Sequence, residues 1–156
     1  ASSPATCSTT SFDFAKQFGA THTINGKREN VIERVMEITG LGVDYAFDAI
    51  GTEGTIVQIV DALAPAGHAV IVGIPSFATK APITPYQMVY SEKTVSGTYY
   101  GSVRPSVDFG ILADLDMEKR INLDSLISRT YKFDEINEGF QLMANGSVAR
   151  GVITFD

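Results

Sequence analysis

The sequence has no tryptophan, only one cysteine and two histidines, and fewer basic than acidic side chains. The single cysteine, Cys7, excludes an internal disulfide and fits a reducing compartment, so we expect a cytoplasmic location. The 12 Lys and Arg against 18 Asp and Glu give a net charge of -6. This charge argues against a nucleic acid or an anionic membrane surface as partner, because both require a basic face.

Long apolar runs are also absent. No stretch approaches the roughly 20 apolar residues that span a bilayer, and the first residues lack the basic start and apolar core of a signal peptide. We therefore expect no membrane segment and no leader. The length of 156 residues and the hydrophobic content of 44% suit one folded domain. Residues 1–11 contain no large apolar side chain and predict a Ser/Thr-rich arm or linker, with the domain over 12–156.

Clusters of chemistry-bearing residues are scarce. His22, His68 and Cys7 are the soft metal ligands of the chain, and none stands in a His-x-x-x-His or Cys-x-x-Cys spacing. Zinc needs three or four protein ligands. A nucleophile motif of the form Gly-x-Ser-x-Gly does not occur either. We expect no metal site and no catalytic residue within this chain.

What the sequence does contain is an alternation of short apolar runs and helix-length segments. The predicted strands are Thr21–Asn25, Val43–Ile50, His68–Val72, Thr94–Tyr99, Thr130–Phe133 and Gly151–Phe155. The predicted helices are Phe12–Phe18, Asn30–Ile38, Thr55–Leu63, Pro85–Tyr90, Val107–Leu115, Leu123–Ile127 and one that Asp134 caps and Gly146 ends. This alternation predicts an α/β fold with a parallel sheet.

Two predicted strands end at glycines, Gly51 and Gly73. Ligands of open α/β sheets bind at the carboxyl ends of the strands, and a residue without a side chain there allows close approach to the backbone. The alternative is that both glycines only make turns. Asp44 and Asp48 lie four residues apart on the first of these strands and could form a carboxylate pair. We favour the interpretation that Asp44 opens the strand and Asp48 accepts hydrogen bonds near its exit.

Several segments, in order along the chain, resemble zinc-dependent medium-chain alcohol dehydrogenases. The segments that carry the resemblance are Ala15–Thr21, Gly42–Gly51, Val70–Pro75, Gly97–Ser102, Ile136–Phe140 and Ala149–Ile153. The resemblance implies the NAD(P)-binding domain of such an enzyme, which transfers hydride between an alcohol and an aldehyde or ketone. It implies NAD or NADP as cofactor, with NAD favoured, and zinc only in the complete enzyme.

The resemblance also implies positions for the cofactor. The implied contacts are Ile50 and Gly51 on the adenosine side, Val72, Gly73 and Ile74 under the nicotinamide, Thr98, Tyr99 and Tyr100 at the carboxamide edge, and Arg150 at the pyrophosphate. A guanidinium matches phosphate oxygens in geometry and charge.

Three parts of the family pattern have no counterpart in this sequence. They are the zinc-binding catalytic domain, the first strand with its glycine-rich turn, and the second strand with its ribose-binding acid. We therefore expect a partial Rossmann-like, doubly wound parallel sheet that retains the last three strands of the order 3-2-1-4-5-6. The chain alone is then expected not to turn over substrate.

This truncation leaves an unpaired edge on the strand Val43–Ile50. We expect residues 1–11 or a second copy of the chain to cover it, because an unpaired strand edge invites pairing. Family dimers pair through the strand that matches Thr94–Tyr99, which implies a homo-oligomer formed at sheet edges. The alternative functions are a non-catalytic self-associating module and a doubly wound sheet that binds a methyl donor.

Overall fold

The computed structural model describes residues 9–145, 148 and 150–155. The chain divides into two compact units: Ile24–Val103 forms one, and the residues up to Thr23 together with those from Arg104 onward form the other. Residues 1–8 of the predicted arm lie outside the described residues. The described end of that arm belongs to a helix that begins at Thr9.

Helices and strands alternate along the chain. In chain order they are α1 Thr9–Gln17, α2 Val31–Thr39, β1 Val43–Asp48, α3 Glu53–Asp61, β2 Leu63–Ile71, α4 Pro85–Tyr90, β3 Thr94–Gly97, α5 Pro105–Met117, β4 Arg129–Lys132, α6 Ile136–Ala144 and β5 Gly151–Thr154. Short 3₁₀ turns cover Tyr100–Ser102, Asp124–Leu126 and Phe133–Glu135.

The unit Ile24–Val103 is built on a parallel sheet with the strand order β1-β2-β3. The register places Ala46 opposite Ala69, and Ala69 opposite Val95. Successive parallel strands that neighbour each other in this order are the second half of a doubly wound, Rossmann-like sheet. The predicted fold class and the predicted strand neighbours are confirmed.

The core of this unit lies between the sheet and α3. Val60, Leu63 and Ala69 are its most buried residues, and half-buried apolar side chains from β1, β3, α3 and α4 pack around them. Thr52 caps the start of helix α3 at Glu53. Its hydroxyl accepts a hydrogen bond from the N–H of Thr55 in a reciprocal capping box. The helix therefore begins two residues before the predicted Thr55.

Strand β2 is longer than predicted because it begins at Leu63, ahead of the predicted start at His68. Val43 pairs with Leu63 and Tyr45 with His68, so the strand bulges between these two pairs. Ala66 in the bulge has a φ of 61°, and its N–H donates to Ser91 O at 2.8 Å. Neighbouring backbone therefore binds the segment before His68 into the sheet.

Two local predictions are wrong. Thr21–Asn25 does not form a strand, and within the described part of the chain no sheet partner is available to give it a hydrogen-bond ladder. Asp134 does not cap α6, because a 3₁₀ turn over Phe133–Glu135 precedes the helix and Glu135 occupies the cap position. The predicted end of this helix at Gly146 lies outside the described residues.

The other unit contains the parallel pair β4 and β5, with α6 as the crossover. Tyr131 on β4 is the buried centre of this pair, at 3% exposure. A Cβ at Gly151 would come within 2.6 Å of the Tyr131 ring, so the glycine makes room for the aromatic side chain. The predicted strands at both ends of α6 are confirmed with slightly different bounds.

Lys93, just before β3, ties this strand to the end of α3. Its Nζ donates to Val60 O at 2.9 Å, which satisfies a carbonyl in the last turn of the helix. Burial lowers the pKa of Lys93 from 10.5, and the carboxylate of Asp61 opposes that shift. The folded state therefore holds the Lys93 proton less tightly than the unfolded state does.

This difference predicts an alkaline pH dependence. From the lowered pKa of folded Lys93 up to 10.5, the unfolded state binds more protons, so the free energy of unfolding should rise with pH. Urea unfolding between pH 7 and 10.5 should show this rise in the wild type and not in Lys93→Met. Lys80→Met, at an exposed lysine, is the control and should keep the wild-type slope. Parallel wild-type and Lys93→Met curves would contradict the prediction.

Candidate functional site at the carboxyl ends of the strands

The three parallel strands end side by side. Asp48 pairs with Ile71, and Ile71 with Gly97, so the segments that follow β1, β2 and β3 leave the sheet at one edge. Eight of the nine residues assigned to the cofactor lie on these segments: Ile50, Gly51, Val72, Gly73, Ile74, Thr98, Tyr99 and Tyr100. The structure brings them together at this edge; their role in binding stays a prediction.

The loops after β1 and β2 are in direct backbone contact. A Cβ at Gly73 would lie 2.6 Å from the N atom of Gly51, and a Cβ at Gly51 would lie 2.9 Å from Gly73 O. Gly51 also has a φ of 79°, which side chains disfavour. The neighbouring loop therefore fills the space beside each glycine. This geometry supports the interpretation of both glycines as a requirement of the turns themselves.

Asp48 joins the two loops. Its carboxylate is buried and accepts hydrogen bonds from Ile50 N and Gly51 N, each at 3.0 Å. Its backbone carbonyl accepts from the N–H groups of Val72 and Gly73, each at 2.8 Å. The expectation that Asp48 accepts hydrogen bonds near the strand exit is confirmed. Asp44 is exposed while Asp48 is engaged, so the two do not act as a carboxylate pair.

Apolar side chains around these loops remain open to solvent. Ile50 is 59% exposed and Ile74 73%, although apolar residues beside a parallel sheet are usually covered. Tyr99 and Tyr100 are similarly exposed, and their rings meet edge to face with centroids 4.8 Å apart. An apolar, partly aromatic rim is suited to a ligand that carries flat rings.

The turn after β3 has a backbone that the sequence did not predict. Tyr100, Gly101 and Ser102 have φ values of 49°, 68° and 55°, three consecutive left-handed residues. For residues with a Cβ this conformation costs about 1–2 kcal/mol each. The only signal in the sequence is Gly101, which explains one of the three positions.

Arg150, the ninth assigned residue, belongs to the other unit. Its backbone N–H donates to Ser128 Oγ at 3.3 Å, and its carbonyl accepts from Ser128 N at 2.9 Å, just before β5 begins. The side chain is exposed. Its assignment to a pyrophosphate therefore stays a prediction.

The described residues contain no group of three or more His, Cys, Asp or Glu side chains that could hold a metal ion. His68 lies within β2, where its Nε2 is 2.7 Å from Ser96 Oγ. His22 contacts the hydroxyl of its neighbour Thr21, and Cys7 lies outside the described residues. Among the described residues, no set of side chains is therefore arranged to fit a zinc site. In the same part of the chain, no helix is long and apolar enough to cross a membrane.

Comparison with known proteins identifies the class. A family described as zinc-binding dehydrogenase matches residues 5–115. Alcohol dehydrogenase-like 2 of Arabidopsis thaliana has 31% sequence identity over 93% of this chain. Alcohol dehydrogenase-like 5 of the same organism has 33% identity over 91% of the chain. Benzyl alcohol dehydrogenase from Acinetobacter calcoaceticus superimposes on 94% of the chain with a TM-score of 0.89 at 31% identity. An alcohol dehydrogenase zinc-binding domain protein from Burkholderia ambifaria superimposes on 94% of the chain with a TM-score of 0.88 and a sequence identity of 29%.

The chain belongs to the zinc-binding dehydrogenase family. It is related to the cofactor-binding domain of zinc-type alcohol dehydrogenases, which confirms the resemblance seen in the sequence. The chain spans 38% and 37% of the length of the two plant relatives and 40% of each of the two solved structures.

The contact between the two loops predicts a sharp difference between two glycines. Gly73→Ala should destabilise the protein by at least about 1–3 kcal/mol, because the new Cβ would overlap backbone atoms that cannot move aside. Gly54→Ala in α3 meets no atom within 4 Å and should stabilise by about 0.5–1 kcal/mol. Urea unfolding followed by circular dichroism measures both. Equal stability of the two variants would contradict this account of the loops.

Proposed function

We propose that the chain binds a nicotinamide dinucleotide at the carboxyl ends of β1, β2 and β3. The observation that carries the proposal is the exposed apolar rim at this edge, formed by Ile50, Val72, Ile74, Tyr99 and Tyr100, in a chain of the zinc-binding dehydrogenase family. At that rim the backbone carbonyls of Gly51, Gly73 and Thr98 would supply hydrogen-bond acceptors, because the N–H groups of these residues are bonded within the chain. The resemblance assigns the pyrophosphate to Arg150.

The bound dinucleotide would supply hydride chemistry, and the chain would supply its position. Asp48 would contribute indirectly: by holding the N–H groups of Ile50 and Gly51, it fixes the loop against which the adenosine side would lie. NAD is favoured over NADP, although the acid that usually decides between them has no counterpart in the sequence. A cytoplasmic location is likewise proposed from the single cysteine.

The complete protein would be an NAD(P)-dependent alcohol dehydrogenase that interconverts an alcohol and an aldehyde or ketone. The names of the relatives support this activity. The chain spans only 37–40% of the length of these relatives, so the activity is proposed for the complete protein and not for this chain. We propose that the 156-residue chain binds cofactor weakly and does not turn over alcohol by itself.

Calorimetric titration of the purified chain with NADH, and then NADPH, tests the cofactor proposal. NADH should bind saturably, and Arg150→Ala should weaken binding by about tenfold, since a charge-assisted contact contributes roughly 1.5–3 kcal/mol when fully formed. Arg120→Ala is the matched control, because Arg120 is an exposed arginine that pairs with Glu118. If the heat of the wild-type titration is no greater than the heat of dilution, the cofactor proposal is rejected. In a separate activity assay, ethanol oxidation by the pure chain would contradict the proposed lack of turnover.

A second proposal, supported by a separate observation, is self-association. In the described residues β3 pairs only with β2, so its other edge has open backbone groups. Tyr86, Val89 and Tyr90 of α4 are all more than 70% exposed, and the two tyrosine rings stack at 5.5 Å. Between Ala81 and Val103 the only charged residues are Glu92 and Lys93, which lets two copies of an acidic chain approach here.

Sedimentation velocity over a range of concentrations tests self-association. The wild-type chain should form a dimer, and Val89→Lys should shift it towards monomer, because two copies of the new charge would be buried at the contact. Leu41→Lys changes an equally exposed apolar residue of the same unit outside α4 and should leave the dimer intact. A wild-type chain that stays monomeric at every concentration would reject this proposal and also the proposed cover of the β1 edge by a second copy.

A further inference from the structure

The turn Tyr100–Ser102 is the most unusual stretch of backbone among the described residues. The other non-glycine residues with positive φ in that part of the chain, Ala66, Glu92 and Lys119, occur singly. Here three occur in succession, and two of them carry a Cβ. Left-handed residues of this kind persist only where surrounding contacts hold them, and they concentrate at ligand sites.

The contacts that hold this turn can be identified. Ser102 N donates to Tyr99 O at 2.9 Å, and Thr98 N donates to Ile71 O at 3.0 Å, which anchors the start of the turn to β2. The hydroxyl oxygens of Thr98 and Ser102 lie 3.1 Å apart in a hydrogen bond that closes the turn from its anchored end to its far end. Among the described residues, this is the one side-chain hydrogen bond that spans the turn.

We propose that the hydroxyl pair of Thr98 and Ser102 is a latch that keeps the turn Tyr100–Ser102 left-handed and so positions the backbone of Thr98, Tyr99 and Tyr100 for the dinucleotide. Ser102 is then a positioning residue. The step from the turn to the dinucleotide rests on the proposed function, whereas the latch itself is a property of the free chain.

Substitutions at Ser102 separate positioning from direct contact with the cofactor. Alanine removes the hydroxyl but keeps the Cβ that disfavours positive φ, so the turn should leave the left-handed state. Glycine also removes the hydroxyl but adopts positive φ readily. A latch therefore predicts that glycine rescues what alanine loses. A serine that touches the cofactor through its hydroxyl predicts that both substitutions lose equally.

NADH titration of the variants measures this difference. Ser102→Ala and Thr98→Val should weaken NADH binding about three- to tenfold, the range expected when one neutral hydrogen bond is lost, and Ser102→Gly should remain within about twofold of the wild type. Ser106→Ala, at an exposed serine of α5, is the control. Wild-type affinity in Ser102→Ala, or equal losses in Ser102→Ala and Ser102→Gly, would overturn the positioning role.

Backbone NMR of the labelled free chain provides a measurement without cofactor. Carbon chemical shifts and amide–Hα couplings at Tyr100, Gly101 and Ser102 should report positive φ in the wild type and in Ser102→Gly, and a changed conformation in Ser102→Ala. Negative φ at Ser102 in the wild type, or positive φ retained in Ser102→Ala, would overturn the latch. A left-handed wild-type turn with no NADH binding would instead reject the proposed function, because the turn would be present without its ligand.

Discussion

The close approach of the loops after β1 and β2 is the constraint on which the candidate site depends. The two loops touch backbone to backbone at Gly51 and Gly73, and Asp48 holds both through its carboxylate and its carbonyl. Four backbone N–H groups are satisfied by this one buried residue. Because the N–H groups of Ile50 and Gly51 replace water at the carboxylate, its burial is compensated.

The tight junction has a consequence for the surrounding side chains. With the loops joined at their backbones, the apolar side chains of Ile50 and Ile74 remain at the surface. The sheet edge therefore combines a rigid backbone with an exposed apolar rim, which is the arrangement that a site for a flat, partly apolar cofactor needs. Turn Tyr100–Ser102 extends this edge beyond β3 and supplies its aromatic part.

The family is described as zinc-binding, whereas the site proposed in this chain is for a dinucleotide and not for zinc. The described residues contain the edge at which we propose that the dinucleotide binds, and they bring together no ligand set for a metal. In the relatives, the part of the length that this chain does not span is the larger part. Substrate choice and turnover are thus properties proposed for the complete protein.

Local pattern predicted most of the fold because the signals were local. The predicted helix Asn30–Ile38 agrees closely with α2, since the side-chain cap at Asn30 and the left-handed Gly40 are encoded at the positions themselves. The prediction of a strand over Thr21–Asn25 is wrong because a strand needs a neighbouring strand to pair with, as well as a suitable composition. The prediction that Asp134 caps α6 is wrong because a 3₁₀ turn over Phe133–Glu135 moves the helix start to Ile136.

For the site, the sequence by itself predicted that Gly51 and Gly73 follow parallel strands and that Asp48 accepts hydrogen bonds. The resemblance to alcohol dehydrogenases implied the other residues assigned to the cofactor. Only the tertiary structure decided why Gly51 and Gly73 are glycines and that Tyr100–Ser102 turns left-handed. The physical reason is that the presence of a strand follows from the pattern of one chain segment at a time. A contact between two loops, or a hydroxyl pair that closes a turn, exists only after separate segments have been brought to fixed positions.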